Sequence, residues 1–309
     1  MRSGFRESLH RGSVLVTGPG GDTVLALGAV DTPVFPRSSN KPMQAVGMLR
    51  AGADLRGSAL AIAAASHSGE PAHVDQVRAL LAGVGLSEAD LGCPPDLPLN
   101  SAAARDLLAA GGKAARVYMN CSGKHAGMLA TCVAAGWPTG EYLDPAHPLQ
   151  VALATAVRDL TGEPASPVGV DGCGAPLFAL SLRGLTRAFA RLVTAAPGTP
   201  ERRVADAMRA HPHLVAGTDR DDTLLMGGVP GLLVKGGAEG VHVAVLPSGA
   251  AVAVKIDDGA ARARMPVLVA ALHRLGVRAS VLDALAEAPV LGGGHPVGTT
   301  RLLPGALEG

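Results

Sequence analysis

The β-forming runs of this chain lie near its two ends, and the long stretch between them has helical composition and spacing. Residues 13–17 and 23–27 flank Gly18-Pro19-Gly20-Gly21, a pattern that predicts an opening hairpin. Residues 232–234, 241–246 and 252–256 are strand-like again, with turns at Gly236-Gly237 and Pro247-Ser248-Gly249. Between these groups, residues 41–51, 74–81, 102–110, 123–134, 149–160, 180–195 and 202–210 carry helical patterns, and 265–275 is an amphipathic helix after them. Strands from both ends can then share one antiparallel sheet, with the middle as a large helical insertion. The expected class is α/β (α+β), a single unit over 1–309. Its sheet lobe would take about 11–36 and 230–300, and its helical lobe about 40–228. Clefts between such lobes commonly hold binding sites.

Composition narrows the partners. One Trp, two Tyr and four Phe in 309 residues leave the core to Ala, Val and Leu. The net charge of +1 comes without a long basic run or interleaved aromatics, which argues against nucleic acid. The start, Met1-Arg2-Ser3-Gly4-Phe5, lacks the apolar core of a signal peptide. Apolar stretches such as 59–65 are too short to span a bilayer. A soluble cytoplasmic protein without membrane partners is expected. Cys93, Cys121, Cys132 and Cys173 contain no C-x-x-C spacing and are expected as free thiols. Cys132 reads as a buried helix face. Cys121 and Cys173 differ, because both stand among small polar residues.

Lysine is the informative residue. There are five Lys against twenty-two Arg, so a lysine marks a place where arginine would not serve. Lys41 follows Ser38 at i+3, flanked by Pro36 and Pro42 as at a helix start. A serine hydroxyl is a weak nucleophile until its proton is removed. A neutral amine can remove it, and burial or a nearby cation favours that form. A guanidinium stays charged and cannot. The first N–H groups of a helix can also hold an oxyanion. S-x-x-K is the nucleophile motif of the β-lactamase and penicillin-binding group. Alone, it reads equally as a helix cap beside a surface lysine. Lys124 opens another helix in Asn120-Cys121-Ser122-Gly123-Lys124-His125, but Tyr118 stands where a P-loop needs glycine. Lys235, before Gly236-Gly237, echoes the K-T-G element with its central hydroxyl missing. Three loops add polar groups: Ala65-Ser66-His67-Ser68-Gly69-Glu70, Asp171-Gly172-Cys173-Gly174 and Ala216-Gly217-Thr218-Asp219-Arg220-Asp221-Asp222.

In order along the chain stand R-S-x-x-K-P-x-Q, A-S-H-S-x-E, N-C-S-G-K-H-x-G-M, D-G-C-x-x-P, H-P-x-x-V-A-G, V-K-x-G and V-K-I-x-D-G. This set resembles the rhizobial-type L-asparaginases, the serine–lysine class also called asparaginase II. The resemblance runs from about residue 11 to about 300. It implies a fold similar to serine β-lactamases and penicillin-binding proteins. It also implies a single catalytic unit, L-asparagine as substrate and a homodimer. By motif, Ser38 would be the nucleophile, Lys41 its base, and Ser66 with Lys235 a second serine–lysine pair. Arg37, His67, Lys124, His125 and Asp171 would contact substrate, with Asp171 suited to the α-ammonium. Cys121, Lys124 and Cys173 would surround a zinc ion, a set too small and unusual for a structural site. Zinc is therefore expected to modulate or orient, outside the core chemistry. A serine–lysine hydrolase of glutamine, a D-amino-acid amide or a β-lactam is the alternative. A non-catalytic amino-acid or zinc-binding protein is the other.

Overall fold

The computed structural model describes residues 1–307. The chain opens with strands β1 (Gly12–Thr17) and β2 (Thr23–Leu27). Helices α1 (Lys41–Arg50), α2 (Gly57–Ala63), α3 (Pro71–Ala82), α4 (Ser101–Ala109), α5 (Ser122–Ala135) and α6 (Pro148–Thr161) follow. A short hairpin, β3 (Val168–Val170) and β4 (Pro176–Phe178), precedes α7 (Leu182–Thr194), α8 (Pro200–Ala210), α9 (Pro212–Val215) and α10 (Asp221–Gly228). Strands β5 (Leu233–Gly236), β6 (Val241–Val245) and β7 (Ala251–Ile256) come next. Helices α11 (Ala261–Arg274) and α12 (Ser280–Leu285), then strands β8 (Ala288–Gly292) and β9 (His295–Thr300), close the fold. Among the described residues, no helix is long and apolar enough to cross a membrane.

Two compact units form. The first holds Met1–Ser39, Leu180–Thr194 and the chain from Leu224 onward. Its five-stranded sheet has the order β2-β1-β7-β6-β5, antiparallel throughout. The β1–β7 pairing, with Leu15 opposite Ala253, joins the two ends of the sequence into one sheet. Mixed helix and antiparallel sheet is thus the observed class. Every residue of β6 is buried. Side chains alternate across a strand, so both faces of the sheet are covered there. Helices α7 and α11 both pack on β6 and β7. Helix α7 therefore lies with the sheet, although the sequence pattern groups it with the helical stretch. Its pattern explains this: Leu182, Leu185, Phe189 and Leu192 are buried, while Arg183, Arg187 and Arg191 line the opposite face at four-residue spacing.

The second unit holds Asn40–Ala179 and Ala195–Thr223. Its helices approach closely because small residues line the contacts. A Cβ on Gly47 of α1 would stand 2.8 Å from Leu153 of α6. On α5, a Cβ on Gly123 would stand 2.3 Å from the Ile62 carbonyl oxygen, and one on Gly127 would stand 2.8 Å from Ala63. Both distances are below van der Waals contact, so this G-x-x-x-G face admits α2 only without side chains. The approach fixes the first turn of α5 beside the end of α2. The segment leaving α2, residues 65–70, is buried throughout. Its backbone is held by Ser66 N–H to the Val215 carbonyl and Asn100 N–H to the Ser68 carbonyl, both at 2.9 Å. The sequence run 59–65 thus ends as a short helix feeding a fixed polar segment.

Candidate active site

In the sheet unit, Arg37–Asn40 forms one 3-10 turn that runs directly into α1. Arg37 adopts a left-handed φ of 51°, a strained conformation for a side-chain-bearing residue. Its guanidinium lies 3.7 Å from the carboxylate of Glu239, itself left-handed at 57°. The two neighbouring serines differ. Ser39 is fully buried and donates its hydroxyl to the Lys235 carbonyl at 2.9 Å. Ser38 is half-buried, so its hydroxyl stays reachable. The end of β5 presses on this turn: a Cβ on Gly237 would stand 2.4 Å from the Pro36 carbonyl oxygen. Glycine at that position is a steric requirement. Lys235 is buried, and its ammonium donates to the Gly236 carbonyl at 2.8 Å.

In the helical unit, Lys41 is 1% exposed. Its ammonium donates to the Ala65 carbonyl at 2.5 Å and to the Ser66 hydroxyl at 2.9 Å. A buried ammonium needs such partners, because leaving water uncompensated is costly. Ser66 is therefore brought to Lys41, a contact between residues far apart in sequence. His67 is fully buried with both ring nitrogens engaged. Its Nδ1 accepts from Gly69 N–H at 3.2 Å, which puts its proton on Nε2. Nε2 then donates to the Ser122 hydroxyl at 2.9 Å, and Ser122 donates to the Val117 carbonyl at 2.8 Å. Through these bonds His67, expected to contact substrate, ties residues 66–69 to the start of α5. Glu70, the last polar residue of that segment, accepts from Thr218 N–H and hydroxyl at 2.9 and 2.7 Å. His213 adds a contact to the same carboxylate at 3.0 Å. The loop after α9 is thereby pinned to the segment. The sequence left His213 without a role and did not join Glu70 to that loop.

The first turn of α5 carries Lys124 and His125. Lys124 is 2% exposed and donates to Cys173 Sγ at 3.0 Å. Cys173 is held well below the ordinary thiol range, first by a hydrogen bond from Cys121 and then by the Lys124 charge, against burial. Cys121 moves the other way, because it keeps the shared proton and is buried. Burial opposes the Lys124 ammonium, but the charge on Cys173 outweighs it and raises its pKa. A thiolate–ammonium pair with a thiol beside it follows. Asp171 lies in the turn before Cys173, its Oδ2 4.0 Å from the sulfur, and accepts from Gly172 N–H at 2.9 Å. The three residues implied for zinc are thus adjacent, but as a thiol, an ammonium and a thiolate. Among the described residues, no group of three His, Cys, Asp or Glu side chains gathers to hold a metal. Zinc binding releases ligand protons, so the two sulfurs and the amine nitrogen would supply three of the four N or S donors a zinc site takes. Cys93 and Cys132 are also buried free thiols.

Tyr142 was not singled out from sequence. Its hydroxyl contacts His125 Nδ1 at 2.6 Å. Its rarity, as one of two tyrosines, is the same signal that singled out the lysines.

Burial leads the lowering of the pKa in His67, His73 and His125. All three are neutral in the fold and gain a proton on unfolding once pH drops below about 6.5, the ordinary imidazole value. The unfolded state then binds more protons, so stability falls as pH falls, by up to about 1.4 kcal/mol per pH unit per histidine. The urea midpoint at about pH 5 should lie well below that at about pH 7.5, the two sides of the imidazole range. Equal midpoints would mean that these rings protonate without disrupting the fold.

Comparison with known proteins adds three findings. No curated protein matches the chain. Among solved structures, a β-lactamase from Mycobacterium bovis is similar at 16% identity and a TM-score of 0.44, over 89% of this chain and 95% of that one. The family model described as L-asparaginase II matches residues 1–302. With the S-x-x-K turn, the Lys41–Ser66 contact and the Cys121–Lys124–Cys173 cluster in one chain, that match is nearly end to end: the chain belongs to the L-asparaginase II family.

Proposed function

We propose that the protein hydrolyses the side-chain amide of L-asparagine to L-aspartate and ammonia through an acyl-enzyme on Ser38. The observation that carries this reading is a buried lysine bonded to a serine hydroxyl and preceded, three residues earlier, by a reachable serine. Lys41, as a neutral amine, takes the proton of Ser38, whose oxygen attacks the amide carbon. Backbone N–H groups near Ser38 would hold the oxyanion that forms. As the C–N bond breaks, the leaving nitrogen must gain a proton. Ser66 suits this step: it passes its own hydrogen to the leaving nitrogen and takes from Lys41 the proton that came from Ser38. Lys41, neutral again, deprotonates a water that attacks the acyl carbon, and that proton returns to the Ser38 oxygen as aspartate leaves. Asp171 would meet the substrate's ammonium group. Zinc enters no step.

Ammonia release separates the alternatives. Purified protein should release ammonia from L-asparagine faster than from L-glutamine, and should not open a β-lactam. A preference for glutamine or a β-lactam would move the substrate class. Asparagine binding without ammonia would make the protein a binder.

A further inference from the structure

We propose that the cavity between α6 and the β3–β4 hairpin binds an aromatic carboxylic acid carrying one N–H donor, with the N–H on Gln150 Oε1 and the carboxylate on Arg158. The cavity measures about 380 Å³ and lies wholly within the helical unit. Gln150 lines it and supplies its buried polar anchor. This residue is 1% exposed, and its Nε2 donates to the Tyr142 carbonyl at 2.7 Å. A carbonyl only accepts, so the amide cannot turn end for end without setting two acceptors together. Oε1 is therefore the other end, and it has no hydrogen-bond partner among the described residues. A buried acceptor without a donor carries a desolvation cost, and a ligand N–H removes it.

Two periodicities build the walls. Gln150, Ala154 and Arg158 are four residues apart on α6, so one helix face presents all three to the cavity over about 12 Å. On the hairpin, Val168 stands opposite Phe178, and Pro176 shares their face by strand alternation. These three also line the cavity and give it an apolar wall with one aromatic ring. Val168 is 49% exposed, so part of that wall is left to solvent. A flat ring covers such a wall well. Arg158 is the only charged residue among those lining the cavity. Its ion pair with Asp159 is 3.4 Å long with both side chains exposed, and such pairs are weak. An anion entering the cavity thus meets one cation and no acidic lining residue.

Indole-3-propionate is the probe, and titration calorimetry reads its binding. Wild type should bind it with a Kd of about 1 mM or below, the affinity within reach of so small a ligand. Methylation of the indole nitrogen removes the donor and leaves Oε1 unpaired. The 1-methyl compound should therefore bind at least about 10-fold more weakly. Arg158→Ala should weaken binding of the acid about 10-fold and leave the affinity for its methyl ester unchanged. Ala154 is half-buried, so Ala154→Leu places its larger side chain in the cavity and should abolish binding. No binding to wild type overturns the proposal. Equal affinity for the two indoles overturns it as well, because water alone then meets Gln150. So does wild-type affinity for the acid in Arg158→Ala, or binding that survives Ala154→Leu, since the probe then sits elsewhere. The comparison of the two indoles needs no variant. None of these measurements needs asparagine turnover, so failure of the asparaginase reading leaves them standing.

Discussion

Ser38→Ala is expected to lose at least about 10³-fold in kcat/KM for asparagine, the scale seen when a covalent nucleophile is removed. Two neighbouring serines give the comparison its force. Ser39 is fully buried and its hydroxyl is committed to the Lys235 carbonyl. It cannot reach a substrate without breaking the contact between its turn and β5. Ser39→Ala should therefore cost about 1 kcal/mol of stability, the net size of one buried hydrogen bond, and leave most activity. Ser66 accepts from Lys41 and passes a proton on in the proposed cycle. Its loss removes general acid catalysis, a contribution of about 10²-fold or more, but not the nucleophile. Ser66→Ala should still form the acyl-enzyme slowly, visible as mass added to the intact protein after asparagine is supplied. Ser38→Ala should show no adduct at all. An active Ser38→Ala protein, or an adduct that survives that substitution, would transfer the nucleophile elsewhere.

The sheet was legible because its strands are Val-rich and its turns carry glycine. That strands from both ends share one sheet followed from the order of elements, but the β1–β7 pairing itself did not. Helix α2 was not resolved from sequence as a helix. Its run, Gly57-Ser58-Ala59-Leu60-Ala61-Ile62-Ala63, is apolar on nearly every side because α3, α5 and α8 all pack on it, so no polar face marks its period. The β8–β9 hairpin was missed for the opposite reason. Its residues are mostly half-buried, contain Pro289 and Pro296, and show no alternation to read. The S-x-x-K spacing of Ser38 and Lys41 was legible because it is local in the sequence. The bond from Lys41 to Ser66 crosses from α1 to the segment after α2 and depends on packing that no local pattern encodes. His67 was legible as part of a polar burst, but its bonds to Gly69 and Ser122 depend on how the chain packs and were not.

Lys41→Met is expected to abolish activity, again by at least about 10³-fold, while shifting the melting temperature by only a few degrees. The two halves of that expectation have separate causes. Among the described residues, the buried Lys41 ammonium bonds a carbonyl and a hydroxyl, and no carboxylate pairs with it. Holding a cation in a dry interior without a counter-charge costs several kcal/mol. Methionine has a similar length and no charge, so it removes that cost. Against this stands the loss of two acceptors' partners, at about 1–3 kcal/mol each. The terms are of similar size and opposite sign, so the melting temperature should move by only a few degrees either way. Activity has no such compensation, because a thioether accepts no proton from Ser38. Lys41→Arg tests the remaining alternative, that only positive charge is needed. A guanidinium keeps its charge and cannot become a neutral base. It should be as inactive as the methionine variant, and less stable, since a planar fork must fit where an ammonium fits now. Activity in the arginine variant would make Lys41 an electrostatic anchor with another group as base. Unfolding of the methionine variant would make it structural. A folded, inactive pair is the result expected of a lysine that serves in proton transfer rather than by its charge alone.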